Sequence, residues 1–212
     1  MDRRELLKMI AVLTGGVVIG GEVFLTGCKA GGKADAGFTT ANIALLDEVA
    51  ETIIPATATP GAKAAMVGEF MKVMVTDCYT EAQQTAFTNG MAALEDACKK
   101  VNSKSFMECT PVQRHDFLVS LDKEAKDFNK KRDEEDKPKR EANEKANSSI
   151  PWKDHKEFEG APGHYYTMMK QLTLLGFFTS KTGMTETLRH IPVPGKFDGA
   201  FPYAKGDKAW AE

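Results

Sequence analysis

The 212-residue chain lacks the sequence signatures of the common cofactor sites. It has no G-x-G-x-x-G phosphate loop, no C-x-x-C-H haem attachment site and no C-x-x-C metal pair. None of its histidines forms the i, i+4 pair that a metal favours on a helix. We therefore predict no catalytic, cofactor-binding or metal-binding residue in this chain. The histidines are scattered at His115, His155, His164 and His190.

The chain also lacks an excess of charge of either sign. Its net charge is -2 and its pI is near 6.1, so neither nucleic acid nor an anionic surface is an expected partner. Charge is concentrated in residues 122–147, where 18 of 26 residues are charged, nine of each sign, and where Pro138 interrupts the run. Because the signs balance, we expect a solvated helical extension or a mobile hairpin. Pairs such as Asp133 and Glu134 are too solvated there to act as general acids.

The N-terminus carries the features of a bacterial export signal. Arg3 and Arg4 precede an apolar run from Met9 to Leu25, and the hexapeptide RRELLK matches the twin-arginine pattern. The run is short, Gly-rich and contains Glu22, which argues against a retained membrane-spanning helix. The sequence predicts a twin-arginine signal over residues 1–27 that is removed on export, with ordinary secretion as the alternative.

A lipoprotein cleavage box ends this signal. The sequence LTGC places small residues before Cys28, and acylation of that cysteine would supply the several chains that stable anchoring needs. The alternative is an export signal that merely contains a cysteine. Lys29 follows, so nothing argues for retention at the inner membrane, and we expect a lipid anchor on the periplasmic side of the outer membrane. Residues 28–37 are small and flexible, as a tether requires.

Three further cysteines lie in the part of the chain that would be exported. An oxidising compartment permits disulfides, and Cys98 and Cys109 lie across a predicted turn between helices. We predict that these two pair. Cys78 is then left buried or available to a partner.

Helical periodicity dominates residues 38–212, and no alternating strand pattern of useful length is present. N-terminal caps are predicted at Thr39, at Thr80 with Gln83, and at Thr110 with Gln113. The sequence therefore predicts a single all-α domain, an irregular helical bundle with a long aromatic C-terminal loop region. The stripes expected to face its core are Ile43, Leu46, Ala50 and Ile53; Val67, Phe70, Met74 and Cys78; Phe87, Met91, Leu94, Cys98 and Val101; and Phe117, Leu121, Ala125 and Phe128.

The stretch from Tyr165 to Phe178 is apolar on most sides, more than one small core can take up. Some of that surface is expected to contact another protein. The Gly- and Pro-rich C-terminal segment contains interleaved aromatic residues, which either pack on the chain's own helices or lie against a partner.

Three separated segments of the chain share features with one protein family: ETIIPATATPGAKAA from Glu51 to Ala65, DCYTEAQQ from Asp77 to Gln84, and LTLLGFFTSKTGMTETLRHIPVPGKFDG from Leu172 to Gly199. Together they resemble the small subunit, subunit 3, of the gluconate 2-dehydrogenase family. The resemblance covers most of the chain after the signal but does not account for the charged segment at 122–147, which looks like an insertion.

The resemblance implies a non-catalytic accessory subunit. Members of that family accompany a larger flavoprotein of the glucose-methanol-choline oxidoreductase type, which holds FAD, oxidises sugars or sugar acids and passes electrons to a cytochrome, such as a cytochrome c, or to a quinone. Such flavoproteins often lack an export signal. The small subunit would therefore bind its folded partner, carry it across the membrane and anchor it there.

The excess apolar surface and the third family-like segment together predict a partner interface. Two other classes of function remain open: a free-standing periplasmic lipoprotein that acts as a scaffold or binding module, and an enzyme in its own right. The residues of the predicted interface are Leu174, Phe177, Phe178, Arg189, Pro192, Pro194 and Phe197.

Overall fold

Five α-helices form the core of the part of the chain that the structure describes. The computed structural model describes residues 37–193, 195–196 and 198–211. Within this range no β-strand is present, and one isolated bridge pairs Arg189 with Trp210. The predicted all-α, irregular bundle is confirmed. The helices are α1 (Thr40–Ile53), α2 (Val67–Cys78), α3 (Glu81–Asn102), α4 (Pro111–Asn147) and α5 (Tyr165–Thr179), with shorter turns at Ala62–Ala65, Phe106–Glu108, Trp152–Asp154 and Gly183–Thr187.

The predicted N-terminal caps form. The hydroxyl of Thr39 accepts a hydrogen bond from the backbone N–H of Asn42 at 3.2 Å, which caps α1. Complete capping boxes open α3 and α4, at Thr80 with Gln83 and at Thr110 with Gln113. Each cap satisfies backbone N–H groups that the first helical turn leaves unpaired, so the starts of these helices are fixed by residues within one turn.

One hydrophobic core joins the five helices, and most of the predicted stripes contribute to it. Phe38, ahead of α1, stacks on Phe87 of α3 with ring centroids 6.0 Å apart. Gly90 lets α5 approach α3 closely, because a Cβ at this position would lie 2.2 Å from the Cβ of Tyr165. The largest fully buried side chains are Phe87, Phe106, Phe177, Leu46, Met71, Leu94 and Met169.

Three residues assigned to the core from their spacing are exposed instead: Cys78, Val101 and Phe128. Each lies at the last position of a predicted stripe, where the helix extends beyond the elements that pack against it. On α2 the buried face is also rotated by about one residue, and it is centred on Val67, Met71 and Val75. Periodicity gives the orientation of a face, whereas its length depends on how far the neighbouring helices extend.

Acidic side chains of α1 hold the loop that leads to α2. The Glu51 carboxylate accepts hydrogen bonds from the backbone N–H groups of Ala56 and Lys63, at 2.9 and 2.8 Å. The Asp47 carboxylate accepts one from Gly68 N–H at 2.7 Å, at the start of α2. The first family-like segment therefore forms a loop whose backbone is tied to the preceding helix.

The charged segment is the second half of α4, which continues through Pro138 to Asn147. Proline removes the N–H that would bond the carbonyl of Glu134, but both residues are exposed, where water can hydrate that carbonyl. Of the two predicted forms, the structure therefore has the helical extension. We call residues 129–163 the arm: this part of α4, the tip that follows it, and the chain that returns to α5.

Polar side chains at helical spacing along α4 bind the returning chain. The side chains of Asn147 and Asn143 both donate to the carbonyl of Lys156, at 2.8 and 2.9 Å. The side-chain oxygen of Asn147 also accepts a hydrogen bond from the backbone N–H of Lys156 at 3.0 Å. Nearer the core, Asp136 accepts from Ala161 N–H at 3.2 Å, and Asn129 accepts from His164 N–H at 3.0 Å. The charged segment thus has one face with a structural role, which its composition did not reveal.

The structure brings together the two cysteines that are predicted to pair. Cys98 and Cys109 are both buried and their sulfur atoms lie 3.6 Å apart, but both are free thiols. A disulfide needs about 2.05 Å between the sulfurs, so the predicted bond is not formed in this structure, although its partners are adjacent. Cys78 is exposed, which leaves it available to a partner rather than buried.

Candidate interaction surface

Helix α5 has a buried side and an exposed apolar side. His164 caps it by accepting a hydrogen bond from Tyr166 N–H on Nδ1 at 3.2 Å, and its buried side includes Tyr166, Met169 and Leu172. On the other side three large apolar side chains remain accessible: Leu174 (41% exposed), Leu175 (46%) and Phe178 (39%). We call these three residues the α5 apolar face.

The α5 apolar face corresponds only in part to the predicted partner interface. Leu174 and Phe178 are accessible as expected, and Leu175 joins them at the same helical face. Phe177 is completely buried and packs edge-on against Phe178, with ring centroids 5.1 Å apart. Its assignment to the interface was therefore wrong. Two apolar residues stand on each side of Gly176, and their order in the sequence does not reveal which of them faces the core.

Arg189 is engaged within its own chain. Its guanidinium lies over the rings of Trp210 and Phe201, 4.8 and 5.4 Å from their centroids. Its backbone N–H and carbonyl pair with Ala209 and Ala211, at 2.8 and 2.9 Å. Arg189 thus anchors the end of the C-terminal segment through Phe201 and Trp210, while Tyr203 is 79% exposed. Contact of this segment with a partner stays a prediction.

The remaining predicted functional residues fall into two groups. Pro192 is exposed, as are Ile191 and Val193 beside it, which the prediction did not include. Pro194, Phe197, Cys28, Arg3 and Arg4 lie outside the described residues. The interface and lipidation roles of these residues stay predictions.

The titratable groups near the start of α5 are held in their neutral forms. Burial lowers the pKa of His164 and raises the pKa values of Tyr165 and Tyr166 to about 12. The His164 ring stacks on Tyr165 at 4.3 Å and meets the edge of Phe128 at 5.4 Å. The lone pair on Nδ1 of His164 accepts the hydrogen bond that caps α5. The His164 ring and the aromatic rings that contact it therefore position the start of α5.

The other three histidines are at least partly exposed. His115 and His155 are exposed, and His190 is half-buried. In the described part of the chain no group of three or more His, Cys, Asp or Glu side chains is placed to hold a metal ion. Nor is any of the described helices both long enough and apolar enough to cross a membrane.

Comparison with known proteins places this fold in a family. A sequence model of the family described as gluconate 2-dehydrogenase subunit 3 matches residues 40–195, a range that begins with α1 and includes all five helices and the α5 apolar face. No curated protein and no solved structure matches the chain. Because the match covers well over half of its length, the chain belongs to the gluconate 2-dehydrogenase subunit 3 family, a family named for a subunit of a dehydrogenase.

Proposed function

We propose that this chain is the non-catalytic small subunit of a membrane-bound dehydrogenase complex. It binds a large FAD-dependent subunit of the glucose-methanol-choline type, accompanies it through the twin-arginine pathway and holds it at the membrane through lipid on Cys28. Family membership supports the role of a dehydrogenase subunit. The proposed export and membrane anchoring are supported by the sequence features of the first 28 residues, and the proposed binding of the flavoprotein is supported by the surface of α5.

The observation that carries this proposal is the α5 apolar face. Leu174, Leu175 and Phe178 lie on one side of a helix whose other side is in the core. Exposed apolar patches of this kind typically mark sites of protein–protein contact, since each side chain gains by leaving water. Aromatic residues also commonly act as anchors at such contacts. The face therefore fits a protein partner.

The partner supplies the chemistry. A flavoprotein of this type would oxidise a CH–OH group of a sugar or sugar derivative to a carbonyl. Its FAD would take up the two electrons, with the two protons going to the flavin or to solvent, and the electrons would then pass to an acceptor such as a cytochrome c. Because FAD is inserted in the cytoplasm, the large subunit must cross the membrane folded. A twin-arginine signal on its bound small subunit serves that requirement.

The proposal is tested by purifying the tagged chain from its native membranes under mild extraction. We expect a large partner in equal amount and the absorption bands of oxidised flavin. The double variant Leu174→Asp, Phe178→Asp should lose the flavin, because each carboxylate would be buried unpaired at the interface. Arg189 is not substituted, since its replacement would also release the C-terminal segment.

Val119→Asp is the matched control, because Val119 is an equally exposed apolar residue (43%) on α4, outside the α5 face. It should keep the flavoprotein. Replacement of Arg3 and Arg4 by lysine should leave the flavoprotein in the cytoplasm. A colourless protein without a partner would contradict the proposal and favour a free-standing lipoprotein.

A further inference from the structure

We propose that the tip of the arm, residues 148–156, inserts Trp152 into the surface of the membrane that holds the chain. This inference rests on the proposed lipid anchor at Cys28. It assigns the arm a second membrane contact, which would fix the orientation of the subunit in addition to its attachment.

The tip presents a large apolar side chain to solvent. Trp152 opens the short turn Trp152–Asp154 just beyond α4 and is 84% exposed. No other large apolar side chain in the described part of the protein is as exposed. Ile150, two residues before it, is exposed as well. Neither residue contributes to the hydrophobic core.

The tip is held in place by its neighbours. A ring nitrogen of His155 lies 3.1 Å from the carbonyl of Ile150, which closes the turn around Trp152. Asn147 bonds both the N–H and the carbonyl of Lys156, and this ties the far side of the turn to the end of α4. The exposed position of Trp152 is therefore built into the arm, and little conformational freedom is lost when it contacts another surface.

The arm leaves the core at the end where the described chain begins. Arg114, near the start of α4, pairs with Glu48 in the second half of α1, so α4 begins beside the part of α1 that is farther from Phe38 along the chain. Phe38, ahead of α1, stacks on Phe87, and the neighbouring Ala86 lines a cavity together with Phe128. Beyond Phe128, α4 therefore extends past the point at which the described chain begins.

The lengths of the arm and the tether are compatible. From Phe128 to Asn147 the helix is about 28 Å long at its rise of 1.5 Å per residue. The ten residues from Cys28 to Phe38 reach at most about 35 Å when extended. A lipid on Cys28 and the tip of the arm can therefore lie on the same membrane surface.

The chemistry of the tip fits a bilayer better than a protein. A stable protein interface buries about 800 Å² per partner, more than one tryptophan and one isoleucine provide. Tryptophan, in contrast, concentrates at the membrane–water interface, where its ring is apolar and its N–H is hydrated. The net charge of -2 offers no general attraction to anionic lipid, so the contact is apolar. The tether makes it effective by keeping the tip near the surface.

The test uses the full chain as the cell processes it, reconstituted in vesicles of phosphatidylethanolamine and phosphatidylglycerol. The chain has two tryptophans, so Trp210→Phe leaves Trp152 as the only one, and Trp152→Phe leaves Trp210 as the matched control. On vesicles we expect the emission of Trp152 to shift to the blue and to be quenched by acyl-brominated lipid. Trp210 emission should do neither, and added salt should not reverse the Trp152 signal.

Unchanged Trp152 emission on vesicles that carry the protein would overturn the proposal. A shift that appears only when the flavoprotein is added would also overturn it and would assign the tip to that partner. Mass spectrometry of the N-terminal peptide reports separately whether Cys28 is acylated. Failure of the anchor and failure of the tip contact are therefore distinguished.

Discussion

The carboxylate of Glu51 accepts a hydrogen bond from the backbone N–H of Lys63, twelve residues later, at 2.8 Å. A second hydrogen bond, from Ala56 N–H, joins the same carboxylate to the near side of the loop. One acidic residue in the last turn of α1 thus fixes both ends of the PATATPGA turn. The loop needs this support because its prolines and small residues provide little packing of their own.

Glu51→Ala should destabilise the protein by about 1–2 kcal/mol, because two charge-assisted hydrogen bonds to backbone N–H groups are lost. Chemical denaturation followed by circular dichroism measures the change. Asp96→Ala is the control: Asp96 is exposed on α3 and has no hydrogen bond or ion pair with any residue that the structure describes, so its replacement should change stability by less than about 0.5 kcal/mol. Equal effects of the two substitutions would contradict the role given to Glu51.

Asn147→Ala should loosen the arm and leave the core intact. The substitution removes both hydrogen bonds between the Asn147 side chain and the backbone of Lys156, while the returning chain buries little apolar surface that could compensate. Hydrogen exchange should accelerate in residues 150–160 and remain unchanged in α1 and α3.

Glu144→Ala is the control for the arm, since Glu144 lies in the same turn of α4 and its side chain has no hydrogen bond within the described part of the chain. Exchange in residues 150–160 should be normal in this variant. If Asn147→Ala also leaves exchange unchanged there, the returning chain is held by other contacts.

His164 should make stability depend on pH. Its pKa is lowered by burial in the folded protein, with a small opposing effect from Glu124, so the unfolded chain binds the proton more readily. The contribution of the neutral ring to stability is complete above the unfolded pKa of about 6.5 and is lost as the pH falls through the folded pKa. Protonation of Nδ1 would also break the cap on α5.

Unfolding free energies measured between pH 8 and pH 5 should therefore decline below about pH 6.5. The decline should be weaker in His164→Gln. His115→Gln is the matched control, because His115 is exposed on α4, and it should follow the unsubstituted protein. An identical pH profile in all three proteins would remove His164 as the cause.

The buried thiols should react much more slowly than the exposed one. Burial raises the pKa of Cys98 to about 11, so the thiolate, which is the reactive form, is about a thousandth of the population near pH 8. In the reduced, folded protein an alkylating reagent should therefore label Cys78 first. Mass spectrometry of the digested protein identifies the labelled positions, and early labelling of Cys98 would show that this part of the core opens.

After export, the thiol-oxidising system of the receiving compartment should take two electrons and two protons from Cys98 and Cys109 and leave a disulfide, so the intact mass falls by two hydrogens. Closing this short loop should stabilise the protein by about 2–3 kcal/mol. Cys98→Ala should abolish the mass change, and Cys78→Ala is the control that should not. Exported protein with three reactive thiols after denaturation would refute the pairing.

How much of the fold could be predicted depended on the range of the interactions involved. Thr39, Thr80 and Thr110 cap helices through contacts within one turn, and each cap was predicted correctly. The buried stripe of α3 from Phe87 to Cys98 was also predicted, since its pattern is strong. Cys78 and Phe128 were assigned wrongly, because exposure at the end of a helix depends on elements distant in sequence.

The partner interface could be located only as a region. An excess of apolar residues between Tyr165 and Phe178 predicted that some would remain exposed, and three do. Their composition did not distinguish Phe177 from Phe178, which are neighbours with the same side chain but lie on opposite sides of the core boundary. The anchoring role of Arg189 was hidden as well, since its contacts lie 12 and 21 residues away, at Phe201 and Trp210.

The sequence by itself determined the all-α class, the starts of three helices and the resemblance to the gluconate 2-dehydrogenase subunit 3 family, because caps, periodicity and motifs are local patterns. Only the tertiary structure decided which apolar residues face solvent, where the charged half of α4 leads, and that its polar face binds the returning chain. Those outcomes depend on long-range packing and hydrogen bonding. A residue's exposure is a property of its neighbours in space, and spacing along the chain does not specify them.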